Sequence, residues 1–174
     1  MSIDSATFRS VLGRFVSGVT IVTARDEAGV DHGMTASAFC SVSLDPPLVL
    51  VSIAHDATLH PVLLEQEEMA VSILTASQEA IARRFAEKLD NRFDGVGFTR
   101  GVTGAPLIDG ALALIEGRVI HRHPGGDHTI FVAEVLAAAA AMDEPLLYYR
   151  GGYAPLARQG GGVDAAPSLR PRGS

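Results

Sequence analysis

Cysteine is nearly absent. The 174 residues hold a single thiol, Cys40, so no internal disulfide can form and a reducing compartment is allowed. Basic charge is also short. Lys and Arg number 14 against 20 Asp and Glu, for a net charge of −6. No basic stripe runs along the chain, which excludes a nucleic-acid footprint. The longest apolar run, Pro46 to Ala54, is too short to cross a bilayer. The opening MSIDSATFRS lacks the basic and apolar regions of a secretory signal. These absences set the expectation of a cytoplasmic protein with no membrane and no nucleic-acid partner.

The common catalytic fingerprints are missing as well. No G-x-x-x-x-G-K-[ST] occurs. Gly95 to Gly101, GVGFTRG, approaches G-x-G-x-x-G, but the last spacing is wrong and a polar loop precedes it where a strand is needed. There is no G-x-S-x-G elbow. Cys40, between Phe39 and Ser41 in a strand-like context, reads as a small buried hydrophobe rather than a nucleophile. His121 and His123 share one face of a predicted strand, and His128 follows the turn. No carboxylate or cysteine completes a zinc set there, and Arg122 and PGG mark a wet hairpin end, so no metal is expected.

What is present is an apolar fraction of 47%, which argues against disorder, and a length suited to one domain. Residues 1–158 are read as that domain. Residues 159–174, QGGGVDAAPSLRPRGS, are rich in Gly, Pro and Arg and are expected to form a flexible tail, whose end resembles a protease-site remnant.

Phe8, Val11, Leu12, Phe15 and Val16 fall at helical spacing behind Asp4 or Ser5 as N-cap, which predicts a helix packed on the core and ended by Gly18. VTIVTA and HGMTASAF read as a hairpin around RDEAGVD. PPLVLVSIA reads as a strand from Leu48, buried on both faces because its apolar run does not alternate. A short helix capped by Asp56 or Thr58 follows, tolerating Pro61 in its first turn. MAVSILT is a strand. Thr75 and Gln78 form a capping box before EAIARRFAEKL, with Ile81, Phe85 and Leu89 on one face. Asn91 to Gly110 reads as a long irregular loop. LALIEGRVIHRH and HTIFVAEVLAAAA pair across PGGD, the alanines continuing the strand, and PLLYYRGGYAPL supplies a last strand. Strands joined mostly by hairpins favour a mainly β antiparallel barrel with helical excursions over a doubly wound sheet.

One stretch does not fit a purely structural reading. GMTASAFCSVSLDPPLVLVSI, from Gly33 to Ile53, crowds small and hydroxyl residues against an apolar strand. Small residues such as Thr35, Ala36 and Ser37 let backbone approach a flat ring. Thr58 and nearby amides suit a phosphate, and Arg83 or Arg84 could add positive charge.

These segments, with FVSGVTIVTA, FAEKLDNRF, GDHTIFVAEV and LLYYRGGYAPL, carry a resemblance from Phe8 to Leu156. The chain resembles the flavin reductase-like family, short-chain flavin:NAD(P)H oxidoreductases that serve two-component monooxygenases. The resemblance implies a split β-barrel of the FMN-binding type and a homodimer. It implies FMN or FAD as flavin and NADH or NADPH as hydride donor. It also implies a flavin-dependent monooxygenase partner, reached if only through diffusible reduced flavin. Thr35, Ala36 and Ser37 would line the isoalloxazine, with Ser52, Ile53 and Ala54 continuing the wall. Thr58 and Leu59 would hold the phosphate end, and Arg84, Phe85 and Arg92 would lie toward the phosphate or adenylate. His128 would face the nicotinamide as the catalytic residue, and Tyr148 or Tyr153 would close the pocket. The alternatives are a module of the same fold that keeps its flavin and carries electrons, an oxidase acting on another small substrate, and a barrel that dimerises without flavin.

Overall fold

The computed structural model describes residues 3–156. The expected tail lies outside the described residues. The elements run α1 (Ser5–Leu12), β1 (Ser17–Gly18), β2 (Thr20–Arg25), β3 (Asp31–Ala36), β4 (Phe39–Leu44), β5 (Pro47–Ala54), α2 (Leu59–Glu65) and β6 (Glu68–Ile73). A 3-10 turn (Ala76–Gln78) leads into α3 (Glu79–Ala86). Then come β7 (Phe98–Arg100), β8 (Pro106–Ile108), β9 (Ala113–Gly125), β10 (His128–Ala140), β11 (Leu147–Tyr149) and β12 (Gly152–Ala154).

The chain is mainly β, and its principal sheet has seven strands in the order β3-β2-β6-β9-β10-β5-β4. Every neighbouring pair is antiparallel, as the hairpin pattern predicted. The alanine run does stay in β10, paired with Ala113 to Glu116 of β9. The capping box at Thr75 and Gln78 is also present.

The sheet is open by hydrogen bonding, because β3 and β4 are its two edges. It nevertheless curls on itself. Ala24 and Ala36 from one end, and Val49, Val51 and Ile53 from the other, share a core with Leu59, Val62 and Leu63 of α2. A second core lies on the other side of β2, where Val19, Ile21, Leu74, Ala82, Phe85 and Ile108 meet. The strand buried on both faces is therefore β2, whose residues Thr20 to Ala24 are all buried. In β5, by contrast, Val49, Val51 and Ile53 are buried while Leu48, Leu50, Ser52 and Ala54 are half-buried. The expectation of two buried faces for β5 is corrected, because only its inner face meets a covering layer.

Four further expectations change. No residue of α1 is buried, and the helix ends at Leu12 with Gly13 after it. Asp4 is its N-cap, accepting from the amides of Ala6 and Thr7 at 2.9 and 3.0 Å. HGMTASAF is not one strand, since β3 stops at Ala36 and β4 starts at Phe39 on the opposite edge of the sheet. Asn91 to Gly110 contains the β7–β8 hairpin, held down by Thr103, whose N–H and hydroxyl donate to the buried Glu116 carboxylate at 2.8 and 2.9 Å. Cys40 is exposed, because it points from edge strand β4 away from the core.

Candidate functional site

The connection from β3 to β4 crosses the open seam of the sheet. Its residues, Ser37 and Ala38, with Thr35 and Ala36 at the end of β3, therefore stand where two edges approach without pairing. The Ser52 N–H donates to the Ala38 carbonyl at 3.0 Å and ties this crossing to β5. Ala36 is buried, and its carbonyl accepts from the Thr20 hydroxyl at 2.8 Å. The Thr35 hydroxyl donates to the Ala82 carbonyl at 2.6 Å. Ser37 is exposed. Small side chains here leave two concavities. One, of about 190 Å³, is lined by Val19, Thr35, Ser37, Ala86, Tyr148 and Tyr153. The other, of about 610 Å³, shares Ser37 and Tyr148 with it and runs between α1 and the outer face of β4 and β5, past Phe8, Leu12, Cys40, Leu50 and Ser52.

The two tyrosines come from the small β1-β11-β12 sheet, where Tyr148 pairs with Tyr153. Their rings meet edge to face at 5.6 Å. Arg83 lies over the Tyr153 ring at 4.9 Å and is held by Glu79 at 2.6 Å. Burial pushes the Tyr153 phenol above its ordinary pKa, so it is a neutral hydroxyl at pH 7.

Thr58 stands immediately before α2, but its hydroxyl caps no helix amide. It accepts instead from Arg92 Nη1 at 2.8 Å, and the same nitrogen donates to the Gly33 carbonyl at 3.0 Å. Arg92 Nε donates to the Glu87 carbonyl, and Nη2 takes no part in these bonds. Arg84 acts one step back, donating to the carbonyls of Arg92 and Asn91 and so holding the segment that carries Arg92. Ile53, Leu59 and Phe85 are fully buried in the two cores. Their side chains are enclosed, so any ligand contact at these positions is through backbone.

His128 opens β10 opposite Ala54 of β5, with Ile130 opposite Ser52. Strand alternation puts His128, Ala54, Ile130 and Ser52 on the outward face, since Thr129 and Phe131 are buried. Its Nδ1 is 2.6 Å from Asp127 Oδ1. That hydrogen bond, first among the causes, draws the Asp127 carboxyl below its usual pKa. The structure thus brings Thr35, Ser37, Tyr148 and Tyr153 to one cavity, and Ser37, Ser52 and Tyr148 to the adjoining groove. Thr58, Arg84 and Arg92 form a second group. His128 and Ala54 lie one strand-step beyond Ser52, outside the lining of both cavities.

Val19, Ala86, Phe8, Leu12 and Leu50 escaped the sequence reading as lining residues. Leu50 was accessible to it, because it shares the β5 face of Ser52. Val19 and Ala86 carry no local signal. His121 and His123 lie outward on β9 with rings 5.7 Å apart, and among the described residues no three His, Cys, Asp or Glu side chains converge as metal ligands. The cavity and groove offer tyrosine rings and hydroxyls, while the Arg92 guanidinium beside Thr58 and the His128 imidazole stand apart from their lining.

Residues 12–157 match the family described as flavin reductase like domain. The actinorhodin polyketide dimerase of Streptomyces coelicolor is 40% identical over 174 residues, covering 99% of this chain and 97% of that protein. The FMN reductase (NADH) SmoA of Agrobacterium fabrum is 42% identical over 156 residues, covering 90% of this chain and 88% of that one. Among solved structures, a Streptomyces globisporus NADH:FAD oxidoreductase in complex with NAD and FAD fragments superposes with a TM-score of 0.86 at 41% identity, covering 91% of this chain and 96% of that one. Other matches are named as the reductase subunit of a flavin-dependent monooxygenase and the flavin reductase component of a two-component tryptophan halogenase.

Proposed function

The chain belongs to the flavin reductase-like family, and we propose that it reduces FMN or FAD with NADH or NADPH and supplies the reduced flavin to a partner monooxygenase. The observation that carries this reading is the seam crossing itself. Thr35 and Ser37 line a cavity together with Tyr148 and Tyr153, beside a groove suited to a flat ring. Arg92 fits a phosphate, since its Nη2 is uncommitted beside the Thr58 hydroxyl.

Flavin, when bound, supplies the hydride acceptor. The chain's part is orientation. Tyr148 and Tyr153 hold one wall, the small residues of the crossing let backbone approach the ring edge, and His128 positions the nicotinamide from the β10 side. Hydride transfer needs reacting atoms within roughly 3.5 Å and little acid–base help, which suits a site poor in strong acids and bases. Residues 1–158 form the domain in this reading. The curl that joins both sheet ends in one core supports a split barrel. The exposed apolar side chains of α1, Phe8, Val11 and Leu12, support a homodimer. No helix among the described residues is long and apolar enough to cross a membrane, which suits a cytoplasmic site of action.

The similarity to a polyketide dimerase favours a second reading. There the flavin stays bound, and the groove under α1 takes an organic substrate. Oxidation of NADH and NADPH, followed with added FMN, FAD and riboflavin, separates the two. Turnover that depends on added flavin is the expected result. Coloured protein that keeps its flavin through dialysis and does not respond to added flavin supports the second reading. Neither turnover nor flavin binding overturns both.

The phosphate assignment has its own test. Arg92→Ala is expected to raise KM for FMN and FAD roughly tenfold or more, the worth of one charge-assisted bond, with riboflavin KM unchanged. An equal rise for riboflavin would remove Arg92 from phosphate recognition.

A further inference from the structure

We propose that His60 is a positioning residue for His128, acting through Thr129. His60 sits in the first turn of α2 and is the buried histidine among the described residues. Its Nε2 lies 2.8 Å from the Thr129 hydroxyl, itself buried. The ring is packed against His55 at 4.9 Å and edge-on to Phe131 at 5.9 Å. An apolar side chain would fill this place without the desolvation cost of an imidazole, so the bond to Thr129 is what the imidazole adds.

The location of that bond matters. Thr129 follows His128 in β10 and points inward where His128 points outward. On the other side of His128, the carbonyl of Asp127 accepts from the His55 N–H at 3.0 Å. Both neighbours of His128 are thus held by the corner between β5 and α2. One is held by main chain, the other by the His60 ring. The Asp127 carboxylate then sets the imidazole itself at 2.6 Å. His128 is half-buried at the mouth of a turn, where its backbone pairs with Ala54 of β5 and Gly125 of β9, and the His60 bond adds a side-chain tie to that corner. Burial, and secondarily His55, keep the His60 pKa below the ordinary imidazole range, so the ring is neutral at pH 7.

The inference rests on the reductase reading, in which His128 meets the nicotinamide. Its test compares His60→Leu, which removes the bond, with His60→Gln, which can remake it, and with Thr129→Val, which deletes only the hydroxyl. Each is assayed for separate KM values and kcat. His60→Leu and Thr129→Val are expected to raise the NADH KM roughly tenfold, the equivalent of one lost hydrogen bond, while the flavin KM stays within about twofold. His60→Gln is expected to recover most of the loss. Equal changes in both KM values, no change in either, or failure of the folded Gln variant to recover would overturn the proposal. If His60→Leu does not fold, Thr129→Val and His60→Gln decide it. Absence of NADH and NADPH oxidation by the unsubstituted protein with every flavin overturns the reductase reading instead. Hydrogen exchange of residues 127–129 then judges the positioning contact alone, which fails if His60→Leu leaves that exchange unchanged.

Discussion

Ser37→Trp should reduce flavin-dependent NADH oxidation roughly 100-fold or more while leaving the thermal unfolding midpoint within a few degrees of the parent, because blocking the ring site removes the orientation on which hydride transfer depends. Ser37 is one of two residues common to the cavity and the groove, and it is exposed. An indole there occupies ligand space without entering either core. The companion change Thr35→Trp should also abolish turnover, but with a stability loss. The Thr35 hydroxyl bonds to the Ala82 carbonyl at 2.6 Å and couples β3 to α3. The pair therefore separates blocking a site from disturbing a fold. Unaltered turnover in a folded Ser37→Trp protein would remove the seam crossing from the site.

Phe85→Ala should cost about 3–5 kcal/mol of unfolding free energy in urea titration, the usual range for emptying an aromatic core position. Phe85 is fully buried with Ile21, Leu74 and Ile108. Its ring stands edge to face with Phe93 at 5.0 Å. It also covers Gly33 so closely that a Cβ added there would lie 2.9 Å from the Phe85 ring. Gly33 offers its carbonyl to Arg92, so the Phe85 ring backs the segment that receives the guanidinium. In protein that remains folded, the flavin KM should move through this backing alone. A loss under about 1 kcal/mol together with a raised flavin KM would make Phe85 a ligand contact after all, since surface contacts fall in that smaller range.

Part of the cavity lining was legible from local pattern. Thr35 and Ser37 were visible as small hydroxyl residues crowded beside an apolar strand, Ser52 only through the resemblance, and the structure places all three around adjoining concavities. Arg92 was found only through FAEKLDNRF as a whole. Its relation to Thr58 spans 34 residues of chain, a contact no periodicity announces. Ile53, Leu59 and Phe85 show the opposite case, with side chains buried in the two cores. A shared motif named them, but motif membership does not distinguish a side chain that touches ligand from one that supports its neighbours.

The sequence by itself determined the antiparallel, mainly β character, the β9–β10 pairing through the alanine run and the capping box at Thr75, and it narrowed the cap of α1 to Asp4 or Ser5. Each depends on residues near one another in the chain, where hydrogen-bond chemistry and alternation act directly. Only the tertiary structure decided which faces are covered. It made β2 the doubly buried strand, left α1 and the outer face of β5 open to a groove, exposed Cys40, and set β3 and β4 as edges joined by two residues, Ser37 and Ala38. Burial is a property of what packs on a face, and the layers that pack here come from distant parts of the chain.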